Sequence, residues 1–151
     1  IAILTADCAP ILFYDSKKKI IGAIHAGWKG AYKRIISKII KYLLKKGSSL
    51  NNLYFVIGPC IAQNNYEVGS KFKKKFLTQS NKNLKYFKII KKRIFFSLNK
   101  YIFGQLKECG IKNIEIIEKD TYIRKNNFFS SRRSKNNNHD YGRNISLIML
   151  K

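Results

Sequence analysis

The sequence predicts a single α/β domain with mixed sheets. Segments with the composition of β-strands alternate with segments whose apolar residues recur at helical spacing, and this order is typical of α/β folds. The 151 residues are enough for one domain, and 45% of them are apolar, which is enough for a packed core. No internal repeat and no linker divides the chain, so we expect one domain over residues 1–151.

The first half of the chain predicts a β-hairpin, a helix and a further strand. Branched apolar residues predict four short strands, at residues 1–4, 11–14, 20–25 and 53–57. Before the last of these, apolar side chains recur at helical spacing from Tyr32 to Leu43, while lysines occupy the other face. Gly47 is expected to end this helix in a left-handed conformation.

The second half predicts two helices and two strands. Residues 68–78 predict a short basic helix, and residues 81–93 fit a loop followed by a strand. Ser97 is placed to cap a helix that Gly110 ends. The remaining predicted elements are strands at residues 114–117 and 145–150, with a polar, asparagine-rich loop over residues 124–143.

The charge of the chain is high, but its distribution does not indicate a nucleic-acid partner. Thirty-one Lys and Arg residues against eight Asp and Glu give a net charge of +23. A basic stripe on one face would indicate nucleic acid, whereas these lysines are scattered through every segment. Lys, Ile and Asn share A/T-rich codons, so coding bias accounts for the composition. We therefore do not expect nucleic acid as a partner.

The cysteine count and the apolar runs bear on the compartment. Three cysteines are an odd number for a disulfide scaffold and favour a reducing compartment, so the cytoplasm is expected. No apolar run reaches the 18 residues that suggest a membrane span, so no membrane association is expected. The sequence opens with Ile inside a strand-like run, which suggests that an N-terminal part is missing.

Two stretches place reactive side chains at the ends of predicted strands, where open α/β sheets form their sites. Cys8 ends the run Thr-Ala-Asp-Cys, and His25 begins the run His-Ala-Gly-Trp-Lys-Gly. A thiolate and an imidazole suit zinc, and a cysteine beside a histidine is also a nucleophile. The two residues alone leave a purely structural role open, with Cys8 as a small buried side chain and His25 as a hydrogen-bonded strand end.

The turn after His25 has the composition of an anion site. Gly27 and Gly30 flank Lys29 at a strand-to-helix junction, where backbone N–H groups and the helix dipole favour negative charge. The spacing is not that of a Walker A loop. An ordinary tight turn has the same composition, and that alternative stays open.

Arginines near the C-terminus form a second candidate anion site. Arg132, Arg133 and Arg143 stand out in a chain whose basic residues are mostly lysine. A guanidinium can bind phosphate or carboxylate through two parallel hydrogen bonds, and surface charge is an equal alternative for these three. His139 is expected to be an exposed loop residue rather than a ligand.

Taken together, these motifs resemble the YfiH-type family, also called the laccase-domain or polyphenol oxidase family. The matching stretches are 5–8 with Pro10, 25–30, 58–68, 128–133 and 141–143. Their order and spacing agree over nearly the whole chain. The resemblance implies a layered α/β/β/α arrangement of mixed sheets.

The activity implied by the resemblance is that of a cytosolic zinc enzyme acting on purine nucleosides. Family members are credited with phosphorolysis of adenosine, inosine and methylthioadenosine, and with adenosine deamination. The implied substrates are therefore a purine nucleoside and phosphate. Two other activities are attributed to the family, namely copper-dependent oxidation of phenols and editing of peptidoglycan precursors.

The resemblance also implies a metal site of a His, a Cys and a His. The second ligand corresponds to Cys8 and the third to His25, and both are then catalytic. The first ligand lies upstream of this chain, so the 151 residues alone are expected to be inactive, because a catalytic zinc normally has three protein ligands. Asp7 is expected to anchor a ligand imidazole, although a turn-capping role is an equal alternative.

Two positions depart from the family pattern. Asp120 stands where the family often has a cysteine, and Ser97 stands where an aspartate usually precedes the helix. Neither belongs to the expected metal pair. Cys60, within the Gly-Pro-Cys-Ile run, is expected to be structural.

Two rival classes use the same sequence differently. In a metal-free cysteine hydrolase, Cys8 would be the nucleophile and His25 the base. A non-enzymatic basic module would need a concentrated basic stripe with interleaved aromatic residues, which the sequence lacks. Both the metal site and the hydrolase require the ligating atoms of Cys8 and His25 to lie within about 4 Å of each other.

Overall fold

The computed structural model describes residues 1–136 and 142–151. In chain order, the strands are β1 (Ala2–Thr5), β2 (Ala9–Asp15), β3 (Ile20–Ala26), β4 (Leu53–Ile57), β5 (Glu67–Val68), β6 (Phe87–Ile90), β7 (Arg93–Phe96), β8 (Asn113–Ile116) and β9 (Asn144–Leu147). The helices are α1 (Trp28–Tyr32), α2 (Ile35–Lys45), α3 (Ser70–Gln79), α4 (Leu98–Glu108) and α5 (Ser131–Asn136).

The main sheet has four strands in the order β3-β2-β4-β8. Strand β2 pairs antiparallel with both β3 and β4, and β8 pairs parallel with β4, so the sheet is mixed. Strands β1 and β9 form a two-stranded antiparallel sheet, and β5, β7 and β6 form a three-stranded one. The predicted α/β class with mixed sheets is confirmed.

The core lies between one face of the main sheet and helices α2 and α4. Side chains alternate between the faces of a strand, so Ile11 and Phe13 of β2 are buried beside Ile57 and Phe55 of β4. The helices contribute Ile36, Ile40, Leu43, Leu98, Ile102 and Leu106 to the same core. The opposite face is more open, and Tyr54 on it is 47% exposed.

The helix predicted after His25 is divided into two helices. The backbone of Arg34 is left-handed, with φ of +60°, and separates α1 from α2. Its guanidinium lies 2.9 Å from the carboxylate of Glu108 on α4. Gly47 follows α2 with φ of +84°, so the left-handed helix end predicted there is confirmed.

The basic helix, the last strand and the predicted C-terminal loop differ from the prediction in their bounds or type. The basic helix begins at Ser70, two residues later than predicted, because Val68 is already paired with Ile94 in the sheet of β5 and β7. The last strand ends at Leu147 rather than at residue 150. The prediction of a loop over residues 124–143 is wrong at Ser131–Asn136, which form α5. This helix has no apolar periodicity, and long-range hydrogen bonds fix its start.

Within the described part of the chain, no helix combines the length and the apolar character needed to span a bilayer.

Candidate active site

Strands β2 and β3 bring Cys8 and His25 to the same end of their hairpin. His25 is paired with Pro10, and Ala9 is paired with Ala26. Residues directly opposite each other in an antiparallel pair point to the same face, so Pro10 and His25 lie on one side of the hairpin, and Cys8 directly precedes the start of β2. Cys8 is half-buried and His25 is exposed. Convergence of their ligating atoms to within about 4 Å stays a prediction.

The sulfur of Cys8 occupies the space that a side chain at residue 27 would need. A Cβ added to Gly27 would lie 2.8 Å from Cys8 Sγ, well inside van der Waals contact. The backbone of Gly27 has φ of −72°, which any residue adopts, so the glycine is required for space rather than for conformation. Gly27 therefore leaves space for the Cys8 thiol. The role predicted from the sequence was different, namely to let an anion approach the backbone of the turn.

The carboxylate of Asp7 joins Cys8 to segments more than 110 residues further along the chain. Oδ1 accepts a hydrogen bond from the Thr121 hydroxyl at 2.7 Å. Oδ2 accepts one from the Ser130 hydroxyl at 3.1 Å and one from the backbone N–H of Arg132 at 2.6 Å. The carbonyl of Asp7 accepts a further bond from Ile61 N–H at 3.1 Å. Anchoring of an imidazole by Asp7 stays a prediction beside these observed bonds.

Arg132 extends from the start of α5 across the ring of Tyr66. Its guanidinium carbon lies 5.3 Å from the ring centroid, and Nη1 donates to the carbonyl of Glu67 at 2.9 Å. Tyr66 itself packs edge-on against Phe96, with 5.9 Å between ring centroids. Contact with Phe96 thereby restrains the Tyr66 ring, and a cation–π interaction holds the Arg132 guanidinium against that ring.

The pKa of Tyr66 is affected by both Cys8 and Arg132. Burial raises the pKa of the Cys8 thiol, and the neighbouring Asp7 carboxylate raises it further. Burial also raises the pKa of Tyr66, with Cys8 as the next contributor, whereas Arg132 acts to lower it. Tyr66 was not among the site residues predicted from the sequence. Its position beside Glu67 and Val68 in the motif at 58–68 was the available signal.

Arg133 has a different environment from Arg132. Its Nη1 donates to the carbonyls of Thr121 and Tyr122 at 2.9 and 2.7 Å, and its Nη2 donates to the carbonyl of Phe128 at 2.6 Å. These bonds fasten the loop before α5 to the segment at 121–122. They account for an arginine at this position by themselves, and phosphate binding by Arg133 stays a prediction.

Different contacts are observed for the other two predicted cationic residues. Lys29 Nζ lies 5.7 Å from the centroid of the Trp28 ring. Arg143 is exposed, and its Nη1 donates to the carbonyl of Gly142 at 3.3 Å. Substrate or phosphate binding by either stays a prediction. His139 and Tyr141 lie outside the described residues.

The Asp120 carboxylate holds the loop that follows Cys60 through hydrogen bonds. Its carboxylate accepts bonds from Ala62 N–H at 3.1 Å and from the Asn65 side chain at 2.7 Å. Burial raises the pKa of Cys60 to about 12, with the charge of Asp120 as the next cause. A thiol in this environment is protonated and unreactive at neutral pH. These observations support the structural role predicted for Cys60.

The metal implied by the resemblance can be tested against the donors present. A thiol and an imidazole at the same end of a hairpin suit zinc or copper in type. Among residues 1–136 and 142–151, however, no three His, Cys, Asp or Glu side chains are grouped so that they could hold a metal ion. The described residues therefore offer two suitable donors, and a third would have to come from elsewhere.

The family of this chain follows from its fold and motifs together with comparison to known proteins. The family model described as "Multi-copper polyphenol oxidoreductase laccase" matches residues 1–151. The chain belongs to this family, and the predicted resemblance is confirmed.

The chain is also similar to individual proteins of known sequence or structure. A purine nucleoside phosphorylase of Rickettsia conorii is 41% identical over 154 residues, which cover 100% of this chain and 63% of the relative. The adenosine deaminase RL5, from an unknown prokaryotic organism, is 36% identical over 69 residues, which cover 46% of this chain and 26% of the relative. The crystal structure of the hypothetical protein YfiH from Bacillus licheniformis has a TM-score of 0.81 at 31% identity, over 89% of this chain and 52% of that one. The chain thus spans less than two-thirds of the length of these relatives.

Proposed function

We propose that this protein is a purine nucleoside phosphorylase that also deaminates adenosine. Its substrates are adenosine, inosine or methylthioadenosine together with phosphate, and its metal is zinc, with copper as the alternative. The names of the Rickettsia conorii and RL5 relatives support this choice of reactions. Three free cysteines support a reducing compartment such as the cytoplasm.

One observation carries the proposal: the Asp7 carboxylate, directly before Cys8, accepts a hydrogen bond from the backbone N–H of Arg132 at 2.6 Å. The hairpin pairs Ala9, the neighbour of Cys8, with Ala26, the neighbour of His25. These contacts support a site in which the two proposed metal donors and a cation that can bind an anion lie near one another. This is the combination that phosphorolysis needs, because an anionic nucleophile must be positioned beside an activated nucleoside.

Arg132 is the residue proposed to bind phosphate. Its guanidinium has five N–H donors, and the bond to Glu67 occupies one of its nitrogen atoms. Stacking on Tyr66 fixes the plane of the guanidinium, so that its donors are oriented before phosphate arrives. Bidentate hydrogen bonds would then orient the phosphate and offset its charge as it approaches the sugar.

Cys8 and His25 are proposed to hold the metal. A bound zinc ion supplies Lewis-acid chemistry for attack on the purine or for departure of the base. The 151 residues alone are predicted to turn over little or no substrate, because they supply two of the three protein ligands that a catalytic zinc uses. Cys8 without a metal is a poor nucleophile, since burial raises the pKa of its thiol. This argues against the metal-free hydrolase.

The proposal is tested by measuring release of free base by the whole natural protein. Inosine and adenosine are incubated with and without phosphate, and hypoxanthine and adenine are quantified by chromatography. We expect base release that depends on phosphate and is abolished by Cys8→Ala. Cys109→Ala is the matched control, because Cys109 lies at the end of α4, where its thiol is 3.4 Å from the Ser37 hydroxyl. Phosphate-independent turnover, or turnover by Cys8→Ala, would contradict the proposal.

A further inference from the structure

Asp7 has an unusual backbone and an extensive set of hydrogen bonds for a residue in a short connection. Its φ is +77°, a left-handed conformation that costs free energy for a residue other than glycine. Its side chain is 9% exposed, and the two carboxylate oxygens accept three hydrogen bonds from Thr121, Ser130 and Arg132. A strained backbone persists only when surrounding contacts enforce it, and these three bonds supply that enforcement.

The same bonds define where Arg132 lies. Its backbone N–H is held by Asp7 Oδ2, and the Ser130 hydroxyl is bonded to both Asp7 and the backbone N–H of Arg133. Ser130 is fully buried, so water cannot replace these bonds cheaply. The first turn of α5 is therefore attached to the residue that directly precedes Cys8.

We propose that Asp7 is a positioning residue that sets the spacing between the thiol of Cys8 and the guanidinium of Arg132. The inference rests on the proposed function, because it assigns the phosphate subsite to the space between these two groups. In this arrangement Asp7 acts on phosphate only through Arg132. Its negative charge by itself would repel the anion, so its contribution is geometric.

If Asp7 acts by positioning Arg132, its replacement by asparagine should weaken phosphate binding, whereas a purely electrostatic effect would strengthen it. Asp7→Asn removes a negative charge near the subsite, and on charge alone phosphate should bind more tightly. Loss of the tether predicts the opposite, because a neutral amide holds the Arg132 N–H and the two hydroxyls less firmly than a carboxylate does. Thr121→Val weakens the same tether without changing any charge.

The experiment measures the dissociation constant of inorganic phosphate by ³¹P NMR titration of the whole natural protein. We expect Arg132→Gln to raise it about tenfold and Asp7→Asn to raise it roughly threefold to tenfold, with a smaller rise for Thr121→Val. In the Arg132→Gln background, Asp7→Asn should have no further effect, since residues that act as one unit are not additive. Asp15→Asn is the matched control, because Asp15 is a fully buried carboxylate at the far end of β2.

The outcomes separate this inference from the function on which it rests. If Arg132→Gln leaves phosphate binding unchanged, the phosphate site and the proposed function are overturned together. If Arg132→Gln weakens binding while Asp7→Asn and Thr121→Val do not, only the positioning role is overturned. Additive effects of Asp7→Asn and Arg132→Gln would also overturn it, since Asp7 would then act independently. A variant that fails to fold, as judged by circular dichroism, leaves the decision to Thr121→Val.

Discussion

Replacement of Gly27 by alanine tests whether the position of the Cys8 sulfur determines activity. The added Cβ would lie 2.8 Å from Cys8 Sγ, whereas ordinary contacts begin near 3.4 Å. The sulfur or the turn must therefore move by about 0.6 Å, a displacement comparable to those that misalign reacting groups. The φ of −72° adds no backbone strain for alanine, so this contact is the whole perturbation.

We expect Gly27→Ala to lower kcat/KM for inosine phosphorolysis by about 10²-fold, because a shift approaching 1 Å can cost that much. The cost in stability should be about 1–3 kcal/mol, as for other overpacked positions. Zinc affinity, measured by competition with a chromogenic chelator, should fall about tenfold, as when the groups that orient a ligand are altered. The assays are base release and urea unfolding of the whole natural protein.

Gly30→Ala is the matched control for this experiment. A Cβ at Gly30 would lie 3.7 Å from the carbonyl of His25 and 3.8 Å from Ile35, both ordinary contacts. The residue lies within α1, where alanine stabilises a helix by about 0.5–1 kcal/mol over glycine. Unchanged activity in Gly27→Ala, or equal losses in both variants, would refute the reasoning.

The remaining predictions concern three other parts of the structure. Cys8→Ala and His25→Ala should each abolish base release, and the double variant should be no worse than either, whereas Cys109→Ala should retain most turnover. Arg133→Ala should lower the free energy of unfolding in urea by about 2–4 kcal/mol, since three carbonyls lose a charged donor; a loss below about 0.5 kcal/mol would disprove its structural role. Although burial opposes it, hydrogen bonds from the backbone N–H groups of Lys18 and Lys17 lower the pKa of Asp15. The stabilisation is therefore present above the unfolded-state pKa and lost as the pH falls through the folded one. Asp15→Asn should lower the free energy of unfolding at pH 7 and reduce its decline as the pH falls. An unchanged decline would contradict this role of the Asp15 carboxylate.

Local patterns in the sequence were sufficient for most elements of the fold. Branched runs located the β2–β3 hairpin, and helical spacing located α2 and α4, because these signals depend on residues a few positions apart. The division of the first helix at Arg34 was not predictable. Its left-handed backbone accompanies an ion pair with Glu108, more than 70 residues away.

The candidate site shows the same division between local and long-range information. The motifs around Cys8 and His25 could be located in the sequence because each is contiguous and ends a predicted strand. The contrast between Arg132 and Arg133 could not be, since adjacent arginines have the same composition and differ only in what they contact. Ser130 lies in the motif at 128–133, but neither it nor Thr121 carried a signal for its bond to Asp7, because a buried hydroxyl that bonds to a remote carboxylate leaves no periodic pattern.

The sequence by itself therefore determined the α/β class, the family resemblance and the candidate thiol–imidazole pair. Only the tertiary structure decided that Asp7, the neighbour of Cys8, is bonded to the start of α5, and that Gly27 is required for the space taken by the sulfur. The physical reason is that periodicity and turn chemistry act over a few residues, whereas these contacts join segments up to 125 residues apart. Such contacts exist only once hydrophobic packing has brought the segments together.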